Sequence, residues 1–109
     1  MIEQIRSYMT TEDQTIEQLI QDPLASINHM VLPKGESIPA LQTYSTAYMM
    51  VTEGILGLRL DRQREHLYSK GSIITIPAYT TLSISCRGGS TMKLFMIKPN
   101  EITQPIHHT

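Results

Sequence analysis

The sequence lacks the features that would direct the protein to nucleic acid or to a membrane. Nine Lys and Arg residues stand against ten Asp and Glu residues over 109 positions, which leaves a formal charge of -1 at pH 7. Without an excess of basic side chains the chain cannot neutralise a row of phosphates, so we expect no nucleic-acid partner. No apolar run approaches the roughly 20 residues of a membrane-spanning helix, so we expect no membrane partner either.

Cysteine is scarce, and the N-terminus carries no secretion signal. The single cysteine, Cys86, cannot form a disulfide within the chain, which is typical of a reducing compartment. Residues 1–14 lack the basic start and the apolar stretch of a signal peptide. We therefore expect a cytoplasmic protein. With 40% apolar and 17% charged residues, the 109 residues suit one domain with one hydrophobic core.

The sequence does contain a series of short strand patterns. Leu56, Leu58 and Leu60 alternate with polar or small residues, which is the period of a half-buried strand. Strand-like segments also occupy residues 27–32, 44–52, 72–76, 82–86 and 92–97, with turn-forming residues between them. Residues 87–90, Arg-Gly-Gly-Ser, indicate a hairpin. This spacing predicts an all-β sandwich or barrel of about eight to ten strands.

The two ends of the chain differ from this middle part. Residues 1–22 are polar, and Ile16 and Ile20 fit either a helical or a strand spacing, so we predict a short irregular or helical segment. This segment is the part most suited to swap between copies or to cap the domain. The barrel is expected over residues 23–99. Residues 100–109, which include His107 and His108, form a loosely held tail.

Glycine and proline positions in two segments resemble the two sequence motifs of the cupin superfamily. Gly35 and Gly54 have the spacing of the glycines that bound the first motif, and Glu53 with Gly54 matches its common ending. Gly71 and Pro77 match the second motif in register. The resemblance covers the greater part of the chain and implies a cupin-type double-stranded β-helix, a jelly-roll barrel.

The metal ligands of the resembled family are missing from this chain. Counted from the matched glycines, the positions of the three histidines and the glutamate that bind metal in cupins hold Leu41, Thr43, Ala47 and Leu82. None of these side chains replaces the water shell of a divalent cation as imidazole, carboxylate or thiolate does. We expect no metal and no other cofactor, and therefore no metal-dependent cupin catalysis.

The resemblance implies that the lost ligand positions point into the barrel, so the interior should be apolar. Such an interior could hold a small, mostly nonpolar ligand by burial. Tyr79, which replaces a glycine of the second motif, could cap the mouth. The leading hypothesis is a metal-free binding module, and any regulatory role would follow from the binding. The candidate ligand-binding residues are Leu41, Thr43, Ala47, Met49, Tyr79, Leu82 and Ile84.

Two other functions remain open. A metal-independent enzyme, such as an isomerase, would use a tyrosine or an inward-facing His29 for proton transfer. A structural or interaction protein would have a barrel filled by its own side chains. Cys86 alternates with apolar residues and is interpreted as a core residue rather than a nucleophile. In each case we expect a homodimer, because pairing hides exposed strand edges.

Overall fold

The computed structural model describes residues 2–99, apart from the side chain of Pro39, and these residues form strands, turns and bends. No helix occurs among them, so this part of the chain contains no helix that could cross a membrane. The strands formed by the described residues are β1 (Thr15–Gln21), β2 (Ala25–Leu32), β3 (Ser37–Gln42), β4 (Ala47–Glu53), β5 (Ile55–Leu60), β6 (His66–Ser69), β7 (Ile73–Ile76), β8 (Thr81–Cys86) and β9 (Met92–Pro99).

These strands form two antiparallel sheets that enclose one core. One sheet has five strands in the order β1-β2-β9-β4-β7, and the other has four in the order β3-β8-β5-β6. The chain passes repeatedly from one sheet to the other. Strands β2 and β4 of the five-stranded sheet are followed by β3 and β5 of the four-stranded sheet, and β8 of the four-stranded sheet is followed by β9 of the five-stranded sheet. This is the all-β jelly roll predicted from the sequence, with a strand number inside the expected range.

The core lies between the two sheets and takes every second residue of the central strands. Ala47, Met49 and Val51 of β4 are all buried, as the alternation predicts. We call the contiguous set of buried apolar side chains the core cluster. Its members are Met30, Leu32, Ile38, Ala47, Met49, Val51, Leu56, Leu58, Ile76, Leu82, Ile84, Cys86, Met92, Leu94 and Met96, and the partly buried residues packed against it are Leu41, Leu60, Tyr68 and Ile74.

Three glycines form the tight turns between strands, as predicted. Gly35, Gly54 and Gly71 have φ angles of 82°, 76° and 92°, a region that other residues rarely adopt. A Cβ added at Gly54 would lie 2.6 Å from the carbonyl oxygen of Thr91, so the neighbouring chain leaves no room for a methyl group there. The first cupin-like motif therefore begins and ends, and the second begins, at a position with a backbone conformation that favours glycine.

Two local features differ from the sequence-based predictions, and two strands were not predicted. Residues 15–21 form strand β1 and not a helix, so the sheet begins inside the segment assigned to residues 1–22. Residues 87–90 do not form a hairpin, because the strands that they connect lie in different sheets. Strands β3 and β6 had no clear sequence signal. The predicted tail with His107 and His108 lies outside the described residues.

Candidate functional site

The positions that correspond to cupin metal ligands lie at or in the core and carry no good metal ligand. Leu41 and Leu82 are cross-strand partners on β3 and β8, and Ala47 pairs with Ile76 of β7. Ala47 and Leu82 belong to the core cluster, and Leu41 packs against its edge. Their side chains offer no lone pair, so this set does not fit the divalent cation bound by metal-dependent cupins. Among residues 2–99, no three His, Cys, Asp or Glu side chains are placed to hold a metal ion elsewhere.

The remaining inward-facing candidates belong to the same core cluster. Met49 and Ile84 are fully buried, one in each sheet. They belong, with Ala47 and Leu82, to one cluster of buried apolar side chains. The interior is therefore apolar. That any of these residues binds a ligand stays a prediction.

The hydroxyl group of Thr43 forms hydrogen bonds between the loop after β3 and the loop between β7 and β8. Its Oγ1 lies 2.9 Å from the carbonyl oxygen of Pro77 and 3.1 Å from that of Thr80. The same Oγ1 accepts the Thr80 N–H at 2.9 Å. Thr43 is buried, so these bonds satisfy polar groups that water does not reach. At this end of the barrel Thr43 therefore fixes the loop between β7 and β8.

Replacing Thr43 by valine should remove the only side-chain acceptor that the structure gives to the Thr80 N–H. Because that donor is buried, we expect a loss of about 1–3 kcal/mol in the free energy of unfolding, measured by urea denaturation. Thr43→Ser keeps the hydroxyl group and should lose less than Thr43→Val. Equal stability of the valine variant and the wild type would contradict the structural role.

Tyr79 lies in the loop between β7 and β8, and that it caps a ligand site stays a prediction. Its side chain is 75% exposed. Its φ angle is 60°, which non-glycine residues seldom adopt, and its N–H donates to the carbonyl oxygen of Thr43 at 2.8 Å. A left-handed backbone of this kind suits glycine, the residue that stands at this position in the resembled motif.

Cys86 has the structural role predicted for it. The residue is buried within the core cluster. Its thiol donates a hydrogen bond to the carbonyl oxygen of Ser90, with a sulfur–oxygen distance of 3.0 Å. The contact holds the chain where β8 passes into the loop toward β9.

His29 lies outside the barrel, on the surface of the five-stranded sheet that faces away from the core. Its neighbour Met30 belongs to the core cluster, so alternation places His29 on the opposite face. The imidazole packs between the rings of Tyr8 and Phe95, each with its centroid 4.7 Å away. Nδ1 lies 3.4 Å from Oε1 of Glu17. This location removes His29 from the interior proton-transfer role of the enzyme hypothesis.

Burial of His29 depends on residues 2–14, which we call the N-terminal arm. Tyr8 of the arm covers His29, and the Met9 N–H donates to Oε1 of Glu17 at 2.9 Å. Farther along the arm, Glu12 pairs with the largely buried Lys93 of β9 at 2.7 Å. The hydrogen bond from Lys93 holds the pKa of the Glu12 carboxyl below its usual value, and the pair raises the pKa of Lys93. Sequence patterns did not indicate these contacts.

Among the clefts that residues 2–99 form on the outer surface, two are well defined. The first, of about 720 Å³, is lined by Asp61, Arg62, Gln63 and Thr81. Its carboxylate is already engaged, because Oδ1 of Asp61 accepts the Thr81 N–H at 2.9 Å. We call the second, of about 520 Å³, the β4–β7 cleft. It is lined by Met50, Val51, Thr52, Lys70, Gly71 and Ile73.

Comparison with known proteins assigns the architecture to one fold family. No protein-family model matches the sequence. The chain is 27% identical over 109 residues to the uncharacterised protein MJ0764 of Methanocaldococcus jannaschii, covering 96% of this chain and 94% of that one. The crystal structure of MJ0764, an RmlC-like cupin family protein with a double-stranded β-helix fold, superposes with a TM-score of 0.86 over 91% of this chain and 92% of the other.

More distant structures share the fold. A cupin superfamily protein from Desulfitobacterium hafniense is 18% identical with a TM-score of 0.72, covering 86% of this chain and 84% of its own. The Cnp3 cupin domain of Schizosaccharomyces pombe is 13% identical with a TM-score of 0.72, covering 82% of this chain and 64% of that chain. The chain thus has the cupin double-stranded β-helix fold, as the sequence motifs predicted, and the usual metal-ligand positions hold apolar residues and one threonine.

Proposed function

We propose that the protein is a metal-independent interaction module whose barrel is filled by its own side chains. The observation that carries the proposal is the core cluster. Ala47, Met49, Leu82 and Ile84, which would line a ligand site, pack within it. The hydroxyl group of Thr43, one of the candidate ligand-binding residues, is bonded to the backbone. What is left for recognition is the outer surface.

The outer face of the five-stranded sheet supports this proposal. A sheet face that contacts only water is usually polar. Here Tyr48, Met50, Phe95 and Ile97 point away from the core on adjacent strands, and Ile73 beside them is 68% exposed. Clustered apolar side chains on a surface mark sites of protein interaction. The face is therefore suited to bind a protein partner.

The binding module with a small nonpolar ligand in the barrel is the alternative that an experiment must separate from this proposal. In that alternative Leu41, Met49 and Leu82 contact a ligand, and the core cluster opens to admit it. The barrel then recognises a molecule by burial of apolar surface. In the proposed function the same residues only stabilise the fold.

Native mass spectrometry of protein purified under mild conditions separates the two functions, with elemental analysis of the same sample for zinc, iron and manganese. The proposal predicts masses that are whole multiples of the polypeptide, and metal well below one equivalent. A stoichiometric small molecule that is released on unfolding would support the alternative and contradict the proposal. A full equivalent of metal would contradict both.

A further inference from the structure

The larger of the two well-defined clefts lies where the turn after β5 meets the start of β8, and we call it the Asp61 cleft. Asp61, Arg62 and Gln63 belong to the turn, and Thr81 is the first residue of β8. Leu82 belongs to the core cluster, so alternation places Thr81 on the outer face. The volume of about 720 Å³ lies within the range of small-molecule sites, about 300–1,000 Å³.

The carboxylate of Asp61 is held in one position. The Asp61 N–H donates to the carbonyl oxygen of Thr81 at 2.6 Å, and Oδ1 of Asp61 accepts the Thr81 N–H at 2.9 Å. The φ angle of Asp61 is 50°, a left-handed conformation that Asp and Asn adopt more readily than most residues. Within residues 2–99, Oδ2 of Asp61 has no hydrogen-bond partner. One carboxylate oxygen is therefore free to accept a bond from a ligand.

Neighbouring hydrogen bonds fix the side of the cleft that Thr81 forms. Oγ1 of Thr81 donates to Oε1 of Gln42 at 2.7 Å, and Nε2 of Gln42 donates to the carbonyl oxygen of Thr43 at 3.3 Å. The Gln63 N–H donates to the carbonyl oxygen of Leu60 at 3.0 Å and closes the turn. Because these groups are already ordered, little conformational entropy is lost when a ligand binds beside them.

Arg62 adds a positive charge to the same cleft. The ion pairs formed by residues 2–99 include neither Arg62 nor Asp61, so the two charges are not paired with each other. The guanidinium group therefore keeps its N–H donors for a carboxylate, which it can bind through two parallel hydrogen bonds. A molecule with one ammonium and one carboxylate group complements this cleft, whereas an ion of one sign would also meet a like charge.

We propose that the Asp61 cleft binds a small zwitterion, a free amino acid or a short peptide, with its ammonium group on Asp61 and its carboxylate on Arg62. Both sources carry the same two charges, and the cleft has room for either. Both protein charges are exposed, so each contact is weak and the dissociation constant should be about 1 mM. This inference goes beyond the proposed function and does not depend on it, because the cleft lies outside the barrel interior.

Amide chemical shifts measured by two-dimensional NMR locate the binding, with L-alanine and alanyl-alanine as the probes. Shifts should change at Asp61, Gln63 and Thr81, and those of Met49 and Leu82 in the core should stay the same. Tighter binding of alanyl-alanine supports the proposal with a peptide as the ligand, and tighter binding of alanine supports it with a free amino acid. Changes confined to the core, or no change with the probes at about 20 mM, would overturn the proposal.

Asp61→Asn tests the ammonium contact and preserves the turn, since asparagine tolerates a left-handed backbone and keeps an acceptor for the Thr81 N–H. It should raise the dissociation constant of alanyl-alanine about fivefold, and Arg62→Gln should do the same. Arg64→Gln makes the same charge change in the same turn, outside the lining of the cleft, and should leave the constant unchanged. A dissociation constant insensitive to D61N and R62Q would contradict the proposed contacts.

Blocked probes identify which group of the ligand meets which residue. N-acetyl-alanyl-alanine lacks the ammonium group, so it should bind the wild type about fivefold more weakly than alanyl-alanine. Asp61→Asn should cause no further loss with this probe, whereas Arg62→Gln should still weaken binding. Alanyl-alanine amide lacks the carboxylate and should show the reverse pattern. If the two variants weaken the binding of both blocked probes equally, the assignment of the two contacts is wrong.

The failure of this inference is distinguishable from the failure of the proposed function. A ligand with a dissociation constant of about 1 mM is lost during buffer exchange, so it does not appear in the native mass spectra that test the filled barrel. A cleft that binds neither probe contradicts the zwitterion site only. A molecule retained inside the barrel contradicts the proposed function only.

Discussion

Gly54→Ala should lower the free energy of unfolding by about 2–5 kcal/mol. A left-handed backbone costs an alanine about 1–2 kcal/mol, and Gly54 has a φ angle of 76°. The new Cβ would also lie 2.6 Å from the Thr91 carbonyl oxygen and 2.9 Å from the Met92 Cα. Both atoms belong to the backbone leading into β9, so relief requires moving a central strand, which costs about 1–3 kcal/mol more. Chemical denaturation measures the sum.

Gly71→Ala is the matched control for this effect. Gly71 has a φ angle of 92°, but a Cβ there meets nothing within 4 Å. Only the cost of a left-handed backbone conformation applies to this variant, so the free energy of unfolding should fall by about 1–2 kcal/mol. The difference between the two variants isolates the close approach of Gly54 to β9. If both variants lose the same free energy of unfolding, the distance between Gly54 and the backbone of β9 is larger than the structure describes.

Leu82→Ala should lower the free energy of unfolding by about 2–5 kcal/mol, because it opens a cavity in a packed core. Leu82 is 1% exposed and occupies a position where metal-dependent cupins carry a ligand. An apolar cavity of this kind stays dry and binds small hydrocarbons. Benzene should therefore raise the melting temperature of the variant and leave that of the wild type unchanged.

Leu67→Ala provides the comparison for the same chemical change on the surface. Leu67 is 60% exposed, so its truncation should change the stability by no more than about 0.5 kcal/mol. If Leu82→Ala costs no more than Leu67→Ala, or if benzene stabilises the wild type as well, Leu82 borders an open space. The interior would then be a ligand cavity, as in the alternative function.

The fold was predictable where the residues of a single strand or turn show a recognisable local pattern. The alternation of Leu56, Leu58 and Leu60 and the glycines at turns are local features, and they placed β5 and the ends of the motifs correctly. Strand β1 was ambiguous, because its seven residues fit two periods and only pairing with β2 decides between them. The loop at residues 87–90 has hairpin composition, but composition does not specify in which sheet the next strand lies.

The site was predictable only in part, for a similar physical reason. Counting from the glycines identified the positions without metal ligands, and alternation identified Met49 and Ile84 as buried. Tyr79 is 75% exposed and has a positive φ angle, and its local sequence displays neither property. The burial of His29 comes from Tyr8, a residue distant in the chain, so no local pattern could reveal it.

A crystal structure of the protein under xenon pressure tests the filled barrel most directly, because xenon enters dry apolar cavities and scatters strongly. We predict no xenon or metal peak among Leu41, Met49 and Leu82, and continuous side-chain density between the two sheets. A xenon site there, or a coordinated ion at the centre of the barrel, would contradict the account and would indicate that the protein binds its ligand inside the barrel.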